Sequence, residues 1–538
     1  MESDFTLKGF YEFCRKNKFV LWLSIFSVIA TYGIKLANPT VGVDTELYLS
    51  NQRFINWLSI GRWALIALQY LWNSFAYGKE LYNLYFAIFL ACFFLIAGTL
   101  SWCYLLNSFS SEVFNEKILC FFAVIFITHQ VWAEQIYFTC QAVECILIMC
   151  VAPFIVWYLL KGLLLKKYKY IIVGIISSVL CVSVYQGIIV LIFGGLMSGC
   201  FCLATLKSAN KKECAFLLIR ISALMIFALI LYFAMNKIIL FIFHQHSAEY
   251  LKNQAGFGSF TKIKNLGAYF YKLTLGNIGF LNNLLLPIFI ANSPHGLSSF
   301  YNFQGAAVHA NLFLIPAVIL FVIKSSIDIR ENFFRLIFSL CLVLSVFVFP
   351  ILSKDGNVPL RSQYIIPFAQ AFIFSYLLSV SYKKLTKILW YAVVILTCFY
   401  QVISLSMLNY CDVFRYKDDV RLSQAVAENL YKCGVSKDEP VMLYGKHDIS
   451  NGKGFLRGEL LGISSFMYTS EEIFNDVTDR GLAFMKFHGY EFTPATKVEC
   501  DEARVFADSM EDWPSARSVS NFGSIAVVRF SKTTYKEQ

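Results

Sequence analysis

Two carboxylates, Asp44 and Glu46, stand two residues apart in the stretch Asn38-Pro39-Thr40-Val41-Gly42-Val43-Asp44-Thr45-Glu46, directly after the first long apolar run. Ionisable groups at a bilayer boundary are expensive to keep. A carboxylate placed there serves as a general base or orients a hydroxyl-bearing substrate. Further along come Gly61-Arg62-Trp63, Glu134 beside a short turn, Tyr185-Gln186-Gly187 interrupting an apolar run, and Arg361 in a late polar stretch. Acids combined with arginines at a membrane surface suit a lipid-linked phosphate substrate. The carboxylate takes the proton of an acceptor hydroxyl. Guanidinium forks pair bidentately with phosphate oxygens and neutralise the leaving group. Outside a cell, where nucleotide sugars are lacking, a polyprenyl phosphate carrier is the natural sugar donor.

These residues must be positioned by membrane helices. Of 538 residues, 57% are hydrophobic and only 15% charged, whereas soluble domains run nearer a quarter charged. Repeated apolar runs reach the length of about 20 residues that a bilayer demands. They predict spans near 19–37, 82–106, 118–136, 141–160, 171–185, 188–205, 214–235, 308–323, 333–350, 364–382 and 388–408. That makes about eleven. The 171–205 stretch also reads as one long kinked helix, and 276–292 as a re-entrant segment.

Charge sets the expected orientation. Residues 409–538 hold 16 Lys/Arg against 20 Asp/Glu, net −4, which leaves 30 against 15, net +15, before them. The basic residues cluster in short loops at Lys161–Lys169, Lys207–Lys212, Lys324–Arg335 and Lys383–Lys387, and before the first run at Lys8, Arg15, Lys16 and Lys18. This is the positive-inside pattern and not a nucleic-acid-binding stripe. It places the N-terminus in the cytoplasm and everything from 409 on outside. The polar stretches 38–80, 134–141, 236–305 and 351–363 then face outward, with 54–75 reading as aromatic-rich helices lying in the interface.

The C-terminal 409–538 reads as a small α/β domain behind a membrane domain of 1–408. A helical pattern over Asp418–Lys432 stops at Gly434. Pro440–Gly445 and Ser524–Phe530 read as strands and Glu471–His488 as a helix.

Every candidate has an ordinary alternative. Arg62 snorkels from an interfacial helix, Glu134 caps a turn, Gln186 hydrogen-bonds a neighbouring helix, Arg361 is a loop cation, and Asp44 and Glu46 are solvated loop acids. His129 reads as a helix–helix hydrogen bond, and His244 and His246, with no partner cluster, as loop residues. Most of the 16 cysteines lie in apolar runs as small hydrophobes. A Cys433–Cys500 disulfide is open to an extracytoplasmic tail, though an odd number of tail cysteines argues against it. The first apolar run lacks a small-residue cleavage site and reads as a retained anchor.

At Asp44 and Glu46, Gly61-Arg62-Trp63, Tyr185-Gln186, Arg361, and the tail residues Trp513-Pro514, Ser518-Val519 and Ala526-Val527-Val528, the chain resembles the bacterial glucosyltransferase family named for O-antigen glucosyltransferase II, within the GT-C superfamily. The resemblance implies transfer of a single sugar, often glucose, from a polyprenyl-phosphate sugar to a cell-surface polysaccharide acceptor at the outer face of a bacterial plasma membrane. It implies Asp44 as base or acceptor-binding acid, assisted by Glu46 and Glu134, with Arg62 and Arg361 on the donor phosphate. In this chain Thr45 separates the two acids, which leaves open which of them is the base. Some GT-C enzymes use a divalent cation such as Mg or Mn, and no ligand set here decides it. A polysaccharide polymerase or ligase would concentrate arginines in large external loops, and a transporter of lipid-linked glycans would show internal repeats. The paired acids and the absence of a repeat favour the transferase.

Overall fold

The computed structural model describes residues 5–47, 54–73, 83–206, 211–248, 314–327, 329–353, 358–381, 383–447, 458–467 and 477–531. The expected re-entrant segment 276–292, most of the 236–305 stretch with His295, the start of the span at 308, and parts of 38–80 lie outside the described residues.

The chain opens with α1 (Leu7–Lys16), whose N-cap Thr6 side chain accepts from the Gly9 N–H and whose last turn carries Arg15 and Lys16. Both features suit the helix dipole. Then come α2 (Lys18–Ala37), the short α3 (Phe54–Ser59) and α4 (Trp63–Asn73), α5 (Leu84–Phe109), α6 (Glu116–Ile127), α7 (Gln130–Tyr137), α8 (Ala142–Leu165), α9 (Tyr168–Val184), α10 (Ile188–Leu206) and α11 (Lys211–Ile242). After these follow α12 (Leu314–Ser326), α13 (Ile329–Ser345), α14 (Val348–Leu352), α15 (Ile365–Ser379) and α16 (Lys384–Lys432). Among the described residues, six helices are long and apolar enough to cross a membrane, or seven if the bent pair α6–α7 is one span. Shorter apolar helices occupy other expected positions, so the count of eleven is not established by length and composition. The protein is a polytopic helical membrane protein.

Three breaks matter for function. The expected span at 118–136 bends by 44° between α6 and α7. The carbonyl of Phe126 freed there accepts from the Trp132 indole at 2.7 Å, and the His129 ring caps α7 by accepting from the Val131 N–H. The break therefore leaves neither group orphaned. The 171–205 stretch is two helices that part at Tyr185-Gln186-Gly187. A Cβ on Gly187 would sit 2.5 Å from the Ser362 carbonyl, so glycine lets this break lie against the 3-10 turn Leu360–Ser362. The third break is the loop from Asn38 to Leu47.

One expectation is corrected. The last span and the helix at Asp418–Lys432 are a single helix, α16, of 49 residues. At 1.5 Å per residue it runs roughly 70 Å, far beyond a bilayer core of about 30 Å. The 408/409 boundary falls inside it, and no glycine or proline stands anywhere between Lys384 and Lys432.

The tail that follows builds a four-stranded sheet in the order β2-β1-β4-β3 from β1 (Pro440–Tyr444), β2 (Thr493–Pro494), β3 (Val519–Phe522) and β4 (Ile525–Arg529). β1 runs parallel to β2 and β4, and β3 is antiparallel to β4. Alternate side chains cover both faces. Val441, Leu443 and Val528 pack on α16 and on α17 (Thr478–Phe487), and Met442, Tyr444 and Val527 on α18 (Lys497–Ser509). The strand expected at Ser524–Phe530 is central, not an edge, because β3 adds a hairpin partner that the sequence reading missed. All sixteen cysteines are free thiols, including the exposed Cys433 and buried Cys500.

Candidate active site

The turn Phe138–Gln141 between α7 and α8 gathers most of the candidate residues. Each of its four residues is engaged by a different element. The Arg361 guanidinium lies 4.0 Å from the centre of the Phe138 ring. The hydroxyls of Thr45 and Thr139 share a hydrogen bond of 3.1 Å. The Gln69 amide of α4 donates to the Cys140 carbonyl at 2.7 Å. Arg62 donates through Nη1 to Gln141 Oε1 at 2.6 Å.

Arg62 also lies over the Tyr185 ring at 4.5 Å and the Trp57 ring at 5.2 Å. Tyr185 in turn stacks on Tyr364, whose hydroxyl donates to Gln135. Aromatic faces hold a guanidinium in place through the ring quadrupole while leaving its N–H edges directed elsewhere. Gln186 donates to the Ile60 carbonyl at 2.9 Å and to the Tyr232 hydroxyl at 3.0 Å, and Tyr232 donates to the Gly61 carbonyl. Gln186 thus fixes the backbone from which Arg62 projects, at a glycine whose φ of 80° other residues resist. The helix-to-helix hydrogen bond that the sequence suggested for Gln186 is present.

The acidic pair sits on the loop after α2. The Asp44 backbone is left-handed, φ 72°, a conformation Asp tolerates better than most residues. The two acids differ in environment. The Glu46 side chain is sealed, whereas that of Asp44 is 40% exposed. Both are held by one residue that the sequence reading did not single out. Arg480 of α17 donates through Nη1 to Glu46 Oε1 at 2.7 Å and through Nη2 to Asp44 Oδ1 at 2.9 Å. Burial pushes the Glu46 carboxyl up to about 7; the charge of Arg480 pulls the other way and that of Asp44 adds to the rise. Glu46 Oε2 is buried without a hydrogen-bond partner. Cys140 is a further titratable side chain that feels both acids, and Tyr137 feels Glu46.

Glu134 faces another way. Its carboxylate accepts from the backbone N–H groups of Leu460 and Leu461 at 3.2 Å each and from that of Glu459. Glu459 in turn accepts from the Leu360 N–H, next to Arg361. Glu134 therefore anchors a tail segment to α7, and Glu459 ties that segment to the turn carrying Arg361.

Among the described residues no group of three or more His, Cys, Asp or Glu side chains is arranged to hold a metal. Asp44 and Glu46 each already give an oxygen to Arg480. Among the described residues, the acidic pair by itself does not make up a set of metal ligands. His244, at φ 51°, and His246 follow α11 in a loop.

Nothing in the sequence linked residue 480 to residue 44, because the pairing spans more than four hundred residues. Gln141 and Phe138 carried only a weak signal, as the turn after a predicted span.

The family model described as glucosyl transferase GtrII matches residues 33–354. That range covers the acidic loop, Gly61-Arg62-Trp63, the Phe138–Gln141 turn and Tyr185-Gln186. Among solved structures, the chain is similar to the Archaeoglobus fulgidus oligosaccharyltransferase tethered with an acceptor peptide. The identity is 11% and the TM-score 0.35, over 74% of this chain and 57% of that one. The chain thus spans less than two thirds of that protein. A comparison with curated protein sequences gives no match.

Proposed function

The chain belongs to the GtrII glucosyltransferase family, and from that premise we propose that it moves a single sugar, glucose, from a polyprenyl-phosphate donor to a cell-surface polysaccharide at the outer face of a bacterial plasma membrane. The proposed topology is the eleven-span one, with the N-terminus in the cytoplasm and the tail outside. The observation that carries the reading is the Phe138–Gln141 turn, which engages the acidic loop through Thr45 and both candidate phosphate arginines, Arg62 and Arg361.

Asp44 is the proposed base, because its carboxylate is reachable and that of Glu46 is sealed. Asp44 takes the proton of an acceptor hydroxyl. The hydroxyl oxygen then attacks the anomeric carbon, and the bond from that carbon to the phosphate oxygen breaks. The leaving polyprenyl phosphate carries away the electron pair, and Arg62 and Arg361 meet its charge. Glu46 completes the charged group around Arg480, Tyr185 and Gln186 hold Arg62 in place, and Glu134 positions the tail segment beside Arg361.

The test is transfer of radiolabel from polyprenyl-phosphate glucose to a polysaccharide extract by purified protein in lipid. Label reaching polymer with the parent but not with Asp44→Asn supports the reading. A parent that transfers from no donor in a panel of polyprenyl-phosphate sugars overturns it and moves weight to a polymerase, ligase or transporter.

A further inference from the structure

The geometry points to Arg480 as a positioning residue for the acidic pair, so that the α/β tail completes the transfer site and does not merely hang from it; this rests on Asp44 being the base. Both terminal nitrogens of one guanidinium are committed, Nη1 to Glu46 and Nη2 to Asp44. A fork of this kind fixes direction as well as distance, which an ammonium cannot do. It reaches two side chains separated by one residue on a loop whose backbone at Asp44 is left-handed. Such a conformation persists where the surroundings hold it.

Holding the tail in place is not what the fork is needed for. The tail is covalently continuous with α16, is anchored by Glu134 on the backbone of 459–461, and is anchored again by Asp419, which accepts from the Ser464 hydroxyl and the Ser465 N–H. Arg480 instead addresses both carboxylates at once, and so fixes the partly exposed Asp44 against the sealed Glu46. One guanidinium thus sets the direction of the Asp44 carboxylate and ties it to that of Glu46.

The experiment uses the full-length protein in lipid with polyprenyl-phosphate glucose. Arg480→Gln is expected to lower kcat by roughly 100-fold and to leave the donor KM as in the parent, since Arg62 and Arg361 are untouched. Arg480→Lys is expected to recover part of the loss. The variant Asp44→Asn/Arg480→Gln is expected to be no slower than Asp44→Asn alone, because both act through the same group. Parental kcat in Arg480→Gln, or losses that multiply in the double variant, overturn the proposal. Should Arg480→Gln not fold, Arg480→Lys decides: its kcat must fall below the parent's. Should the parent transfer no sugar, the functional reading fails separately, and carbodiimide labelling of Asp44 followed by mass spectrometry still reads the fork. Carbodiimide attacks the protonated acid, so labelling that rises in Arg480→Gln supports the fork, and unchanged labelling overturns it.

Discussion

The protein builds the same device twice, an arginine forked between two carboxylates, and uses it in two different ways. In the first, Arg415 of α16 donates to Asp412 Oδ1 at 2.7 Å and Asp419 Oδ2 at 3.0 Å. The remaining oxygens are occupied too: Asp412 Oδ2 accepts from Lys35 and Thr40, and Asp419 Oδ1 from Ser464. Two anions meet two cations, and the side chains of Lys35, Asp412 and Asp419 are fully sealed. In the second, Arg480 serves both Asp44 and Glu46, the Asp44 side chain is partly open to solvent, and among the described residues Glu46 Oε2 has no hydrogen-bond partner. A closed, neutral network ties α2, α16 and the tail together. Among the described residues, the open network sets two acids against one arginine and leaves Asp44 facing solvent. The residue types are nearly identical, and the two clusters differ in exposure and in how many of their oxygens are engaged.

Asp44→Asn changes the open network at the proposed base. We expect kcat to fall by roughly 10³ to 10⁴ with the fold intact, measured by label transfer alongside a melting curve. The mirror change, Asp412→Ala, strands Lys35 in the closed network. It should cost about 3–5 kcal/mol, seen as a large drop in melting temperature or a failure to accumulate folded protein. If Asp412→Ala instead folded normally and lost only activity, the assignment of roles would be reversed.

Arg361→Lys is expected to raise the donor KM about 10-fold, since an ammonium cannot reproduce the fork. A KM equal to the parent's would remove Arg361 from the phosphate site.

The smallest effect concerns pH. Glu46 titrates near 7 in the folded protein, above its ordinary value of 4.5. The folded state therefore binds the proton more tightly than the unfolded state. This contribution to stability is full below the unfolded value and is lost as pH rises through the window from about 4.5 to 7. Glu46→Gln should make the fall in melting temperature across that window shallower, and a slope as steep as the parent's would mean that other groups carry it.

Much of the membrane part was legible in the sequence because burial in lipid enforces long apolar stretches, and such stretches announce themselves. The runs at Lys18–Ala37, Leu84–Phe109 and Ala142–Leu165 are helices at nearly the expected bounds. The break at Tyr185-Gln186-Gly187 was visible as polar residues within an apolar run. The bend between α6 and α7 was not, because Trp132 and His129 repair it by tertiary and capping bonds that leave hydropathy unchanged. The continuity of α16 was missed for the opposite reason: polarity changes along the helix while the backbone does not.

The sequence by itself determined that the chain is a polytopic membrane protein, that acids and arginines cluster at the ends of its apolar runs, and that strand and helix patterns alternate in the tail. These follow from composition and local periodicity, which act over a few residues. Only the tertiary structure decided that Arg480 serves Asp44 and Glu46, that Glu134 binds the backbone of 459–461, and that the Phe138–Gln141 turn draws Arg62, Thr45 and Arg361 together. Each is a contact between residues far apart in the chain. A carboxylate on a loop reads the same in sequence whether an arginine neutralises it, a backbone occupies it or water reaches it, and only packing tells these apart.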